Sequence, residues 1–369
     1  MRGVPLARQN FLQDRRRAAL AVIGIGAAFV LVLVLDGIFA GAMNQVTAYI
    51  RSSPADVFVA QRDVKTMHMT ASALPPQTLD EVRAVEGVAW AEGLRYTTST
   101  VDAGTDSLLT YVLGYDTTTG RGGPRHIRRG RPPGVGEALV DDGAAAELGV
   151  AVGDTVTILG RRFAISGLST DGTYIANTTV FITTEDFAAI RGTTYAYILV
   201  GTRNDTSTGV LERRIAEALP QTTVMSRGEF AREEANVVRS MAADIMAIMS
   251  SIGFLIALAL VGLTLFTSTI NRQREYGILK ALGANTHRIT AVVVTQAAWT
   301  IALALVVAIG SSIAIGAALG ALTPNLEVDI RIGSVLRTSA AASVIGTIAA
   351  VLPLRRVAHV DAATAFRRP

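Results

Sequence analysis

The residues able to do chemistry are few and scattered. Of the four histidines, His68, His126, His287 and His359, no two stand at a spacing that places both on one metal ion, so no metal site is expected. There is no cysteine, so disulfides and thiolate chemistry are absent. No Gly-x-x-x-x-Gly-Lys-Ser/Thr loop cradles nucleotide phosphates, and no Gly-x-Ser-x-Gly elbow presents a nucleophile. Asp141, Asp142 and Asp171 read as helix caps and turn formers rather than general bases. The catalytic set is therefore empty, and a membrane-anchored enzyme is the poorest function class for this chain. One acid stands apart. Asp36 extends an apolar run, where an ionisable group is costly and is by default a functional candidate. Its simpler reading is a place near the outer membrane interface, hydrated or bonded to a neighbouring helix.

That run is one of four. Ala18–Leu35, Ile245–Ile270, Ile289–Leu326 and Thr338–Leu354 carry no charge and bracket about two hundred polar residues. A helix crosses a bilayer with roughly 20 apolar residues, and in hydrocarbon its backbone groups must pair internally. The first run reaches that length if it continues past Asp36 to Ala42, and Arg337 and Pro353 crowd the ends of the fourth. The chain is 50% hydrophobic and 17% charged with a mean hydropathy of +0.39, too little charge for a soluble protein of this size. Its basic balance, net +4 with a pI of 9.6, sits beside the spans, which argues against nucleic acid as a partner.

The expected organisation is an α-helical membrane protein with four transmembrane helices and an α+β extracytoplasmic domain between the first and second. The segments are 1–17, cytoplasmic; 18–42, first span; 43–244, outer domain with stalks; 245–270, second span; 271–288, cytoplasmic link; 289–320, third span; 321–333, outer loop; 334–354, fourth span; 355–369, cytoplasmic tail. Orientation follows from flanking arginine and lysine. Arg2, Arg8, Arg15, Arg16 and Arg17 face one acid, Asp14; Arg272, Arg274, Lys280 and Arg288 face Glu275; Arg355, Arg356, Arg367 and Arg368 face Asp361. Both termini and the 271–288 link are thus expected inside. A cleaved signal peptide ending near Ala40-Gly41-Ala42 is the alternative for the first run, but its apolar stretch is too long.

Within the outer domain, strands are expected at Ala55–Ala60, Val88–Thr100, Leu108–Tyr115, Thr178–Ile182 and Ala196–Gly201. Helices are expected at Gln77–Val85, Asp142–Leu148, Glu185–Ile190 and Thr208–Leu219. Thr155–Leu159 and Phe163–Leu168 read as a hairpin across Gly160-Arg161-Arg162. A β-α-β unit on each side of a hairpin-rich insert implies a two-part domain whose first part is split in sequence. Gly120–Gly136, with Arg121, Arg125, Arg128, Arg129 and Arg131, reads as a solvated loop; the sharper reading is a contact for anionic headgroups or an acidic partner. Gly228–Asp244 reads as a helical stalk running into the second span. Gly37-x-x-x-Gly41 and Gly316-x-x-x-Gly320 permit close helix approach.

The 271–288 link is short, charged and helical in pattern. Ile278, Leu279 and Leu282 form an apolar stripe, and Gly283 suits a left-handed helix end. This describes either a helix offering its stripe to a partner's groove or an amphipathic loop resting on membrane lipid. Arg274-Glu275-Tyr276-Gly277-Ile278-Leu279-Lys280-Ala281-Leu282-Gly283-Ala284 resembles the signature after the second span of FtsX-like permeases, the membrane subunits of MacB-type (type VII) ABC transporters, and is closest to the DevC-like branch. Gly136-Glu137-Ala138-Leu139-Val140, Val152-Gly153-Asp154-Thr155-Val156 and the ending from Pro353 to Arg367 resemble further motifs of that family, as does the order of spans.

The resemblance implies a permease subunit in a bacterial plasma membrane. Two such subunits, a homodimer or a mixed pair, would sit above two ABC ATPase subunits, with Arg274 to Gly283 as the coupling helix. ATP and Mg would be bound by the ATPase and no cofactor by this chain. ATP-driven closure would move the first two helices and rearrange the outer domains, a mode called mechanotransmission, to export or extract a lipid, lipoprotein, peptide or hydrophobic compound. Since seventeen residues precede the first span, the ATPase is expected as a separate chain, and the extra spans of ten-helix relatives are missing. The alternative is a non-transporting, FtsX-like signalling subunit that passes ATPase motion to an extracellular cell-wall hydrolase, an outside protein partner.

Overall fold

A computed structural model describes residues 15–170, 178–271, 286–322 and 327–358, together with Ile278. Two compact units emerge. A helical unit comprises Met1–Gly41, Ala242–Thr323 and Glu327–Pro369; an α+β unit is essentially Ala42–Met241.

Four long helices run through the helical unit: α1 (Arg15–Ser52) and α6 (Arg227–Asn271), which both continue into the α+β unit, then α7 (Thr286–Leu322) and α8 (Ile332–Ala358). Each carries a stretch long and apolar enough to cross a membrane: Ala19–Ser52, Ala243–Asn271, Val294–Leu322 and Ile332–Val351. Their shared core is made of Ile25, Phe29 and Leu33 from α1, Val261 and Leu265 from α6, Ala304 and Ala308 from α7, and Ala342 and Ile345 from α8. The alanines matter because small residues let backbones approach where lipid supplies no hydrophobic drive to associate. Gly26 serves the same end; a Cβ there would stand 3.4 Å from the Ala304 carbonyl.

The α+β unit is built on one mixed sheet of ten strands, running β10-β1-β9-β2-β3-β8-β5-β7-β4 with β6 pairing β2 and β7. Its strands are β1 (Val57–Gln61), β2 (Val88–Ala103), β3 (Asp106–Tyr115), β4 (His126–Gly130), β5 (Glu137–Asp141), β6 (Thr155–Ile158), β7 (Arg161–Thr170), β8 (Thr178–Thr183), β9 (Tyr197–Thr202) and β10 (Thr222–Ser226). The β10-β1-β9-β2 part, with α2 (Pro76–Arg83) and α5 (Thr208–Ala218) on one face, is a split β-α-β arrangement completed by strands from both ends of the unit. Leu79 and Val82 of α2 and Leu211 and Ile215 of α5 pack on Val57, Val59, Ile198 and Val200. Burying each such side chain contributes about 1.5–3 kcal/mol. The other part carries α3 (Asp142–Leu148) and α4 (Thr184–Arg191), with a core of Val112, Val140, Phe163, Val180 and Phe187. β2 is long because its first half pairs β9 and its second half β3 and β6, so one strand serves both parts.

The local chemistry explains the ends of these elements. Asp141 caps α3 by accepting from Gly143 N at 3.0 Å, and Gly149 closes it with a left-handed φ of 64°. Thr183 caps α4 by accepting from Asp186 N at 3.1 Å.

The structure corrects two readings and adds a strand that was not expected. The Gly120–Gly136 stretch contains a strand, β4, paired antiparallel with β7. It lacks apolar alternation because it is an edge strand whose side chains face mostly outward. The hairpin between β6 and β7 turns at Leu159-Gly160, with φ of 52° and 80°, and Arg161 and Arg162 are already paired in β7. Two positive φ values are what a two-residue hairpin needs to match the strand twist. Finally, β10 is an edge strand that its own sequence does not announce.

Candidate functional site

Of the coupling-segment residues, Arg274, Glu275, Tyr276, Gly277, Leu279, Lys280, Ala281, Leu282 and Gly283 lie outside the described residues; Ile278 is helical and 40% exposed. The described candidates therefore lie in two places: around Asp36 on α1 in the helical unit, and around Glu234 on α6 in the α+β unit.

Asp36 lies on α1 within the helical unit, and the structure pairs it with Arg337 of α8, whose Nη2 donates to Oδ2 at 3.0 Å and to Oδ1 at 3.3 Å. The Asp36 side chain is 26% exposed and the Arg337 side chain 74%. The neighbouring-helix reading of Asp36 is the one observed. Around this pair residues 327–331, between α7 and α8, are laid against α1. Asp329 N donates to the Gly37 carbonyl at 2.9 Å, and Arg331 Nη2 reaches the Ala40 carbonyl at 3.4 Å. Glycine makes the approach possible. A Cβ on Gly41 would run into the Glu327 carbonyl, and one on Gly37 would stand 2.9 Å from Val328 Cγ1. Gly316 of α7 faces the same valine, its Cβ position 3.3 Å from Val328 Cβ, whereas Gly320 faces open space. Gly37, Gly41 and Gly316 thus receive a connecting segment, and Gly320 does not.

A second cluster forms where α6 begins. Phe230 packs on Phe58 and Tyr197 with ring centroids 5.0 and 5.5 Å apart. One turn on, Glu234 is 1% exposed and accepts from Met67 N at 2.5 Å and pairs with His68 Nδ1 at 2.7 Å. The His68 ring lies 4.5 Å from that of Tyr111. The Tyr197 hydroxyl donates to the Thr66 carbonyl at 3.1 Å. Burial, and then the Glu234 charge, push the Tyr197 hydroxyl pKa far above its ordinary value. The segment from Val64 to His68 is thereby fastened to the first turns of α6 by a buried carboxylate. Sequence reasoning passed over Glu234, His68 and Arg337. The signal for Arg337 was available: it and Asp36 are opposite charges at the domain-facing ends of two apolar runs.

In the basic stretch, Arg121 pairs with Glu92 at 3.4 Å and lies over the Trp90 ring, Arg128 pairs with Asp142 at 2.6 Å, and Arg131 pairs with Glu137 at 2.6 Å. These pairings spend charge within the unit, as a solvated surface does. The Arg131 hydrogen bond holds the Glu137 carboxyl below its ordinary value. Among the described residues no group of three or more His, Asp and Glu side chains is arranged to hold a metal ion.

Residues 18–218 match the family model of the MacB-like periplasmic core domain, and residues 247–362 match that of the FtsX-like permease C-terminal region. The chain belongs to the FtsX/MacB-type family of ABC permeases. Curated relatives include a protein of Mycobacterium tuberculosis named as an uncharacterised ABC transporter permease, 29% identical over 360 residues that span 96% of this chain and 97% of the relative. Another, from Mycobacterium bovis and named likewise, is 26% identical over 356 residues, 96% of this chain and 97% of its own. Among solved structures, the periplasmic region of MacB from Actinobacillus actinomycetemcomitans aligns with a TM-score of 0.40 at 12% identity, covering 50% of this chain and 94% of that one. The extracellular domain of YknZ from Gram-positive bacteria aligns with a TM-score of 0.36 at 14% identity, covering 46% and 98%. For this permease, membership carries the expectation of a companion ABC ATPase and a multi-pass place in a membrane.

Proposed function

We propose that this permease couples ATP hydrolysis, carried out with Mg by two copies of a separate ATPase, to rearrangement of its α+β unit outside a bacterial plasma membrane, and that it works paired with a second permease subunit. The cargo class is a lipid, lipoprotein, peptide or hydrophobic compound, exported or extracted. The observation that carries this reading is the pairing of the two matched regions: an FtsX-like region bearing three of the four apolar helices, and a MacB-like core domain between the first and second. That core also favours transport over a purely signalling role. The termini and the 271–288 link are assigned to the cytoplasm by their arginines and lysines. The coupling helix would be Arg274 to Gly283, its apolar Ile278, Leu279 and Leu282 entering an ATPase groove.

Glu275→Lys should abolish co-purification of the ATPase while membrane insertion is kept; unchanged co-purification refutes the coupling assignment. A tag inserted near Gly122 should be accessible from outside intact spheroplasts, and protection there overturns the orientation.

A further inference from the structure

We propose that Arg95 anchors a carboxylate-binding site inside the α+β unit, covered in this structure by the connection Gly192–Thr194. This goes beyond the coupling reading and depends on neither the ATPase nor the orientation of the chain.

Arg95 breaks the pattern of its unit. The ion-paired arginines there, Arg83, Arg121, Arg128, Arg131, Arg161 and Arg214, have side chains 35–63% exposed. Arg95 is 5% exposed and, among the described residues, has no carboxylate partner. Its Nη1 donates to the Thr184 hydroxyl and its Nη2 to the Thr193 carbonyl at 3.0 Å, while Nε is buried with no acceptor. The guanidinium lies over the Tyr195 ring, 4.3 Å from its centroid. Arginine keeps its charge in a protein interior. A hydroxyl, a carbonyl and a ring face do not neutralise that charge, and an uncompensated buried charge is strongly destabilising. The group is enclosed by residues of its own unit, so the missing anion is not one that the bilayer supplies.

The surroundings favour an anion. Thr184 is the first residue of α4, so the guanidinium stands at the positive end of that helix, where a cation is unfavourable and an anion is stabilised. The buried acid of that first turn, Asp186, is already engaged by Arg161 at 3.3 Å and by Gly136 N at 2.7 Å. With one face of the guanidinium against Tyr195, a partner must approach edge-on. A planar, singly charged carboxylate does so with two parallel bonds.

The cover is short. Gly192 has a φ of 92°, which glycine adopts without strain, and a Cβ there would meet nothing within 4 Å. Thr193 and Thr194 are exposed, and the chain is next tied down at Tyr195, whose N–H and carbonyl pair with Leu74 at 2.9 and 2.7 Å. Rotation at Gly192 withdraws the Thr193 carbonyl and leaves Nη2 and Nε as a fork. A carboxylate then forms two charge-assisted bonds where one neutral bond stood.

The test is a thermal melt of full-length permease in lipid nanodiscs, followed by tryptophan fluorescence. The probes are N-acetylglycine, N-acetylglycinamide, inorganic phosphate and chloride at equal ionic strength. The expected result is saturable stabilisation by N-acetylglycine alone, about tenfold in the folding equilibrium at about ten times its dissociation constant. Arg95→Lys keeps the charge but loses the fork, and should raise the half-saturating concentration about 10- to 100-fold. Arg95→Met should abolish the response and, without ligand, melt no lower than the native chain, because the charge it removes is uncompensated. A native chain indifferent to N-acetylglycine overturns the proposal, as does an equal response to the amide or to phosphate. Should Arg95→Met fail to fold, Arg95→Lys decides: an unshifted half-saturation there overturns the assignment to Arg95.

Discussion

Removing the Glu234 carboxylate should loosen the Val64–His68 segment from α6 without unfolding the α+β unit. In Glu234→Ala the buried Met67 N–H loses its acceptor at 2.5 Å, and His68 loses its partner at 2.7 Å. An orphaned buried donor costs about 1–3 kcal/mol. Together with the space left by the missing side chain, local opening becomes easier by about 2–4 kcal/mol. Each 1.4 kcal/mol is about a factor of ten, so hydrogen exchange at the Met67 amide should accelerate roughly 30- to 700-fold. Glu234→Gln retains a carbonyl for Met67 and should cost less than about 1.4 kcal/mol, under tenfold. The assay is hydrogen–deuterium exchange with peptide-level mass spectrometry on the full chain in nanodiscs, with the β1 peptide as internal reference. Unchanged protection at Met67 in Glu234→Ala would refute the reasoning, because the carboxylate would then not be what holds that segment.

Two further outcomes follow from the α+β unit. Burial, then the charge of and hydrogen bond with Glu229, raise the Glu212 carboxyl pKa above 4.5. A raised folded-state value means its favourable contribution is full below the ordinary carboxylate range and is lost as pH rises through the folded pKa. Glu212→Gln should therefore raise the melting temperature at neutral pH and lose that advantage toward pH 4, about the ordinary value; an advantage independent of pH would contradict this. At Gly149, φ is 64° and a Cβ would meet nothing within 4 Å, so Gly149→Ala tests backbone conformation alone. It should cost roughly 1 kcal/mol in a thermal or denaturant melt, and a neutral result would place the helix end elsewhere.

Much of this architecture can be read along the chain because it is written in local pattern. The four spans need only length and apolarity, which a bilayer demands of any crossing helix. The α3 boundaries, Asp142 to Leu148, follow from the Asp141 cap and the left-handed Gly149, both settled within one turn of chain. The split outer domain shows in the two β-α-β patterns flanking an insert, although which strands become neighbours does not. Edge strands escape notice. β4 reads Arg-rich and polar because one of its edges is unpaired and its side chains are mostly solvated, and its place depends on β7, which lies forty residues on at Thr170–Gly167.

Asp36 is visible in sequence as an acid extending an apolar run; its partner Arg337 lies 301 residues away, and no periodicity connects them. The same holds for Glu234 and His68, separated by 166 residues. Such pairs follow from where helices and loops come to rest, which depends on glycines that admit a backbone and alanines that admit a helix. Composition thus determines that this chain spans a membrane four times and carries a folded head between the first two spans. Only the packed structure decides which of its charges meet, because a charge is stabilised by whatever partner the tertiary fold delivers to it.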